Sequence, residues 1–262
     1  MITAYHRPQT LDEALALLSQ PNTFPLGGGT LLSHTSSSLS TTDPVEVVDL
    51  QALDLDSVKK QGNNLEIGAT VTLQGLLESE DCPPALKSAL KLEAPLNIRN
   101  SATVAGTLVA CDGRSTFTTI MLALDTRLET KELNRQPQVS NLGDFLPLRP
   151  RGLITSITIP LNVRLAFEYV ARTPADKPIV CVALAQWNSG RTRLAVGGYG
   201  KSPMLAMDGD LPPSPAGRGT EGEGAQAAAR NAFHDATDEW GSAEYRMDVA
   251  ATLTKRCLEG IK

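Results

Sequence analysis

Apolar positions recur at helical spacing in "TLDEALALLSQ", where Leu11, Ala14, Leu15 and Leu18 share one stripe. Thr10 is a natural N-cap for it, with Glu13 three residues on to complete a capping box. A short strand around Phe24 to Leu26 then runs into three glycines, and "VEVVDL" is a compact β-rich run. "LDSVKKQ" and "NLEIGAT" flank Gly62-Asn63, which predicts a hairpin. Thr72 caps a predicted helix through "LQGLLES", and "PPALKSALKLEA" reads as another with prolines at its start. The stretch "NIRNSATVAGTLVACDGRSTFTTIMLALDTRLE" opens with small and β-branched residues and continues into apolar "FTTIMLAL". It predicts a loop that meets a ligand, followed by a buried helix or strand. "GLITSITIP" alternates as a strand should, and Pro160 ends it.

The style changes after residue 160, where we place a domain boundary. "PIVCVALAQW", "NSG" and "RTRLAVGGY" predict an antiparallel hairpin. Residues 211–224, rich in Pro, Gly and charge, read as an exposed loop or flexible insertion. Two helices follow, "AQAAARNAFHDATDE" and "SAEYRMDVAATLTKRCLEGI", the second capped by Ser242. Tyr245, Val249, Leu253 and Cys257 recur every four residues along one face of it. No internal repeat is visible.

Composition narrows the function classes. The 262 residues are 41% hydrophobic and 20% charged, with a mean hydropathy of −0.12. A formal net charge of −5 argues against broad nucleic-acid binding, which needs a basic surface to release counterions. It leaves a local anion site open, because backbone amides supply one without net positive charge. No apolar run approaches the roughly 20 residues that cross a bilayer. "MITAYHRPQT" lacks a basic segment leading into an apolar one, so no signal peptide is read and the cytoplasm is the expected compartment. Cys82, Cys111, Cys181 and Cys257 lie far apart without a C-x-x-C pair, which disfavours a zinc or iron–sulfur site and suits reduced thiols.

Two small-residue segments carry the candidate chemistry. In "FPLGGGTLLSH", Gly27, Gly28 and Gly29 form either a plain turn or a nest of amides that cradles phosphate, with the Thr30 hydroxyl as a further donor. In "SATVAGT", Ala105 and Gly106 permit close backbone approach while Thr103 and Thr107 offer hydroxyls. Together the two could clamp an extended dinucleotide. "AVGGYGKS", residues 195–202, nearly spells a P-loop, but Ala195 replaces its first glycine, Pro203 follows at once, and no apolar helical run takes over. The G-x-G-x-x-G fingerprint is absent. His6, His34 and His234 are isolated, and no nucleophile–base order or carboxylate pair stands out. The residues read as a binder of a redox or nucleotide cofactor rather than a hydrolase.

Taken in order with their flanks, these segments resemble the flavin-binding (medium) subunit of the molybdenum hydroxylases, which includes those of xanthine dehydrogenase and carbon monoxide dehydrogenase. "FPLGGGTLL" is similar to that family's first FAD loop and "NIRNSATVAGTLV" to its second. "LITSITIP" and "GSAEYR" match later landmarks, so the likeness spans nearly the whole chain. The resemblance implies an α+β fold: a two-lobed FAD-binding domain of the PCMH type over residues 1–160, then a smaller C-terminal domain (161–262) with an antiparallel sheet and helices. It places the FAD diphosphate on Gly27, Gly28, Gly29, Thr30 and Leu31, with a second contact at Thr103, Val104, Ala105, Gly106 and Thr107. Leu31 replaces a usual polar residue, Ala105 a glycine and Thr107 an asparagine. The family's cofactor-contacting aspartate falls on Thr116, with Asp112 four residues earlier as the alternative carboxylate.

The implied role is electron transfer: from a molybdenum cofactor in a large partner subunit, through [2Fe–2S] clusters in a small one, to FAD here, and on to NAD, a quinone or oxygen. The implied assembly is a dimer of heterotrimers. This chain itself would hold no metal and no general acid or base. Two alternatives are a stand-alone flavin oxidase of the same superfamily and a non-catalytic scaffold that has lost FAD.

Overall fold

The computed structural model describes residues 2–30, 44–211 and 222–261. The chain opens with β1 (Ile2–His6), α1 (Leu11–Leu18), β2 (Thr23–Leu26) and β3 (Val45–Asp49). β3 lies between β1 and β2 and runs parallel to both. At the start of α1, Thr10 Oγ1 accepts from the Glu13 amide at 3.3 Å. The Glu13 carboxylate reaches the amide of Gln9 at 3.0 Å, so the reciprocal cap closes one residue further out than expected. Ala14 and Leu15 bury the stripe against Val48, Leu50 and Leu153.

The middle of the chain supplies β4 (Val58–Gln61), β5 (Asn64–Gly68), α2 (Leu73–Glu78), α3 (Pro84–Glu93), α4 (Leu96–Arg99), α5 (Val104–Ala110) and α6 (Thr116–Ala123). It continues with β6 (Arg127–Lys131), β7 (Gln138–Asn141), α7 (Leu142–Leu148) and β8 (Leu153–Pro160). The five strands form an antiparallel sheet in the order β4-β5-β8-β6-β7. Alternate residues Leu65, Ile67, Ile157 and Ile159 join Leu90, Leu108, Phe117 and Ile120 of the helices in the largest core. The segment left as helix or strand is α6, and all eight of its residues are buried. A helix covered on every side shows no amphipathic period, which is why pattern alone could not decide it.

The C-terminal part holds β9 (Val163–Val170), β10 (Val180–Trp187), β11 (Thr192–Gly197), β12 (Met204–Gly209), α8 (Glu223–Asn231) and α9 (Ala243–Gly260). Its antiparallel sheet runs β12-β11-β10-β9. β10 is covered on both faces. Val180, Val182 and Leu184 pack among α8 and α9 residues, while Cys181, Ala183 and Ala185 point the other way. Ala183, Ala185 and Ala195 share the α6 core, so small side chains let that helix lie close on the four-stranded sheet.

Several expectations change here. α8 starts at Glu223, within the stretch read as a loop, and ends at Asn231, eight residues before Glu239. Residues 212–221 of the expected insertion lie outside the described residues. Ser242 does cap α9, its Oγ accepting from the Tyr245 amide at 3.2 Å. Its buried face is Arg246, Ala250, Leu253, Thr254, Cys257 and Leu258, and Tyr245 is 42% exposed. The stripe turns by one residue at its start because the Arg246 guanidinium takes the inward place. It donates to the carbonyls of Ala236 at 2.5 Å and Gly241 at 2.7 Å, and to Asp238 Oδ1 at 2.7 Å. The near-P-loop glycines are a packing turn: Gly113 N–H donates to Gly200 O at 2.9 Å, and Gly198 N–H to Gly113 O at 2.6 Å.

At the far edge of the four-stranded sheet, Arg191 forks onto Asp208 at 2.8 and 2.9 Å, and Arg193 reaches it at 2.5 Å. The Arg191 hydrogen bond holds the Asp208 carboxyl below its ordinary 3.8. A carboxylate favoured in the native state stabilises it above the unfolded pKa, and that gain is lost as pH falls through the lower folded value. Asp208→Asn should therefore cost about 1 kcal/mol at pH 7, the pair being partly exposed. The gap from wild type should narrow below pH 3.8, read from thermal midpoints along a pH series.

Candidate functional site

The strand β2 ends at Leu26, whose carbonyl accepts from the Leu50 amide at 3.0 Å, and the next four residues leave the sheet. Gly28 lies flat against the chain at Ser101–Ala102: a Cβ there would overlap the Ser101 carbonyl outright. Gly27 faces Thr103, whose hydroxyl would be 2.8 Å from an added Cβ. Gly29 has φ +68, a left-handed conformation that favours glycine. Among the described residues, no hydrogen-bond partner is seen for the amides of Gly27, Gly28 and Gly29. Buried or ligand-facing amides need acceptors, so these three are available to one.

The second segment corrects the expectation of a bare loop. It is the first turn of α5, with Thr103 as N-cap accepting from the Gly106 amide at 3.2 Å. Thr72, the N-cap of α2, forms a bridge pair with Thr103, so two helix starts dock on one another. Val104 N–H donates to Val71 O at 2.8 Å, Ala105 N–H to Ala69 O at 3.3 Å, and Thr107 N–H to Thr103 O at 2.9 Å. The amides at 104 to 107 are thus already satisfied. What this segment offers a ligand is a wall without bulky side chains and the Thr103 and Thr107 hydroxyl oxygens. Arg99 on α4 steadies the approach, donating to the carbonyls of Lys91 and Ala94 at 3.2 and 2.7 Å and to Gln74 Oε1 at 3.0 Å.

Both segments line one cavity of about 530 Å³, within the range that takes a cofactor-sized molecule. Gly27, Gly28, Gly29, Thr30, Thr103, Ala105, Gly106, Thr107 and Asp112 all border it. Val104 does not: its side chain is fully buried in the main core. Thr116 does not either, being 1% exposed with its hydroxyl donating to Ala89 O at 2.8 Å. Leu31 and His34 lie outside the described residues.

The acidic and basic side chains of the cavity's described lining are Glu93, Asp112 and Lys177. Asp112 is paired with Lys177 at 2.8 Å, and its other oxygen accepts from the Arg114 amide at 2.9 Å. Arg114 in turn donates to the carbonyls of Pro178 and Lys177 at 2.9 and 2.5 Å, under the Trp240 ring at 4.3 Å. The C-terminal part thereby contributes one cation to the cavity. Glu93 was missed, although Leu86, Ala89, Leu90 and Glu93 follow i, i+3, i+4, i+7 spacing: a carboxylate at the end of a buried stripe. Its Oε2 accepts from the Phe117 amide at 2.9 Å, with Ser115 Oγ at 3.0 Å and Thr116 Oγ1 at 3.1 Å beside it. Burial pushes this carboxyl above the ordinary carboxylate range, against the pull of the Phe117 amide and of Lys177. The other walls are apolar, with Leu50, Leu73, Ile98, Val109, Leu153 and Ile154 among them.

Elsewhere, His6 pairs with Glu46 at 2.8 Å and the exposed His234 with Asp235 at 2.7 Å. The four cysteines are free and buried. No group of His, Cys, Asp and Glu able to hold a metal occurs among the described residues, and no described helix is long and apolar enough to cross a membrane.

Residues 1–162 match the family described as the FAD binding domain in molybdopterin dehydrogenase. The chain is 27% identical over 256 residues to the uncharacterized protein YgfM of Escherichia coli K12, covering 97% of this chain and 94% of that one. It is 26% identical over 285 residues to the carbon monoxide dehydrogenase medium chain of Afipia carboxidovorans, covering 98% and 96%. In fold it is similar to a chain of the cyanide-inactivated Cu,Mo-CO dehydrogenase, with a TM-score of 0.82, 24% identity and coverage of 100% and 98%. With more than half of its length matched, the chain belongs to the FAD-binding domain family of the molybdopterin dehydrogenases, a family of oxidoreductases.

Proposed function

We propose that the protein is the FAD-binding electron-transfer subunit of a molybdenum hydroxylase-type complex. It accepts electrons from iron–sulfur clusters of a partner subunit and hands them to NAD, a quinone or oxygen. The observation that carries the reading is the junction of the two segments: Gly28 rests on Ser101, and both segments border the same cavity as three amides that have no partner among the described residues. Those features suit FAD. Amide donors at Gly27, Gly28 and Gly29, with Thr30 beside them, would hold the diphosphate without a cationic cluster. Thr103, Ala105, Gly106 and Thr107 form the facing wall, and the apolar side chains suit an uncharged ring system. FAD, when bound, supplies the two-electron chemistry; the chain binds it, orients it and excludes water from one side. The partners in this reading are a molybdenum-cofactor large subunit and a [2Fe–2S] small one, assembled as a dimer of heterotrimers; the relative named a medium chain supports membership of a multi-subunit complex. Four buried free thiols suit a reducing cytoplasm.

Purified protein mixed with FAD should emerge from gel filtration with flavin absorbance at close to one equivalent per chain. A preparation that neither carries flavin nor takes it up would overturn the reading and favour a scaffold role.

A further inference from the structure

We propose that Glu93 is a cofactor-binding residue, using Oε1 as a hydrogen-bond donor to an acceptor atom on the ring system held in the cavity. The inference rests on the reading of this cavity as the flavin site, and it starts from how the two carboxyl oxygens divide. Oε2 faces the start of α6 and is engaged by Phe117 N–H, with the Ser115 and Thr116 hydroxyls within 3.0 and 3.1 Å. An amide proton can only be donated, so Oε2 serves as the acceptor. Oε1 has no hydrogen-bond partner among the described residues, and yet it is not among the fully buried side-chain atoms left without one. Glu93 itself lines the cavity, so Oε1 is the oxygen left for a molecule held there.

The protonation state decides what such an oxygen can offer. The groups facing it are Lys177 from the segment before β10, Asp112 paired to that lysine, Cys111 at the end of α5 and Cys181 on β10. Burial pushes the Cys111 thiol up and the Cys181 thiol up to about 12, so neither adds a negative charge near neutrality. Burial favours the protonated form of Glu93, against the pull of Lys177, which is itself paired with Asp112. A neutral acid whose one oxygen accepts from α6 carries the proton on the other. That geometry recognises a carbonyl oxygen or an unprotonated ring nitrogen. It also repels nothing, whereas an ionised carboxylate would oppose an anionic ligand.

Glutamine separates this from other roles. In Glu93→Gln the amide oxygen can keep the α6 donors while the NH2 presents a permanent donor to the cavity. FAD affinity would be followed by flavin fluorescence from pH 6 to 9, with circular dichroism confirming that each variant is folded. At pH 6, Glu93→Gln should bind within threefold of wild type and Glu93→Ala about tenfold more weakly. The affinity of Glu93→Gln relative to wild type should rise with pH, because only the wild-type donor is lost on ionisation. A tenfold loss in Glu93→Gln, undiminished binding in Glu93→Ala, or a ratio that does not rise with pH would overturn the assignment to Glu93 while leaving the flavin site standing. Failure of wild type to bind FAD at any of these pH values would instead overturn the flavin reading and this inference with it.

Discussion

Replacing Gly28 with alanine should abolish FAD uptake and lower folding stability by about 3 kcal/mol or more. The added methyl would have to occupy the space of the Ser101 carbonyl, with Ala102 N only 3.0 Å away. Backbone cannot rotate aside as a side chain can, so overpacking here falls at or beyond the upper end of its usual cost. The displaced contact is also the junction that brings the glycine segment onto α5, so binding and stability should fall together. Gly29→Ala is the informative comparison. Its nearest neighbour would be Leu26 Cδ1 at 3.4 Å, an ordinary contact, and the penalty is the left-handed backbone alone. That costs about 1–2 kcal/mol, so the variant should fold. Denaturant midpoints and FAD titration on both variants check this; a Gly28→Ala protein with wild-type stability would mean that the two segments are not in contact.

The second large effect lies away from the cavity. Arg246→Met should destabilise the protein by about 3–5 kcal/mol. The wild-type guanidinium is fully buried and satisfies Asp238 together with the carbonyls of Ala236 and Gly241. It also lies 5.3 Å from the Tyr199 ring centre. Methionine fills similar space but takes the guanidinium away from the carbonyls of Ile179, Ala236 and Gly241 and leaves the Asp238 carboxylate with the Trp240 and Gly241 amides alone. Lysine should rescue little, since a single ammonium cannot replace a guanidinium that reaches several partners at once. A combined Arg246→Met, Asp238→Asn variant should recover part of the loss, because the orphaned charge is then gone. Chemical denaturation of the three variants measures it, and equal stabilities across the set would contradict the account.

Local chemistry made much of the fold legible. Thr10, Thr72 and Ser242 each cap the helix that follows, and the Gly62-Asn63 turn joins β4 to β5. What stayed hidden had no local signature. β6 and β7 are short, largely polar strands at one side of their sheet, so they lack the alternation that marks a half-buried strand. α6 is buried all round and lacks a period. In the site, the three glycines announced a close approach, and Gly28 on Ser101 is that approach. The second segment looked equally bare, but its small residues serve the docking of two helix starts as well as the cavity wall. Lys177 arrives through the tertiary fold, carried by the strand pairing of the four-stranded sheet, and no pattern around it could have shown this. Glu93 was readable, as a charged residue on an apolar stripe, where burial makes ionisation costly.

Amide hydrogen exchange with and without FAD tests the central claim most directly, because the two segments should answer differently. Gly27, Gly28 and Gly29 have no acceptor among the described residues, so peptides covering them should exchange fast in the free protein and slow markedly on binding. Amides 104 to 107 are already bonded within the fold and should be slow in both states. Unchanged exchange at Gly27–Gly29 in a protein that has bound FAD would place the diphosphate elsewhere and contradict the account.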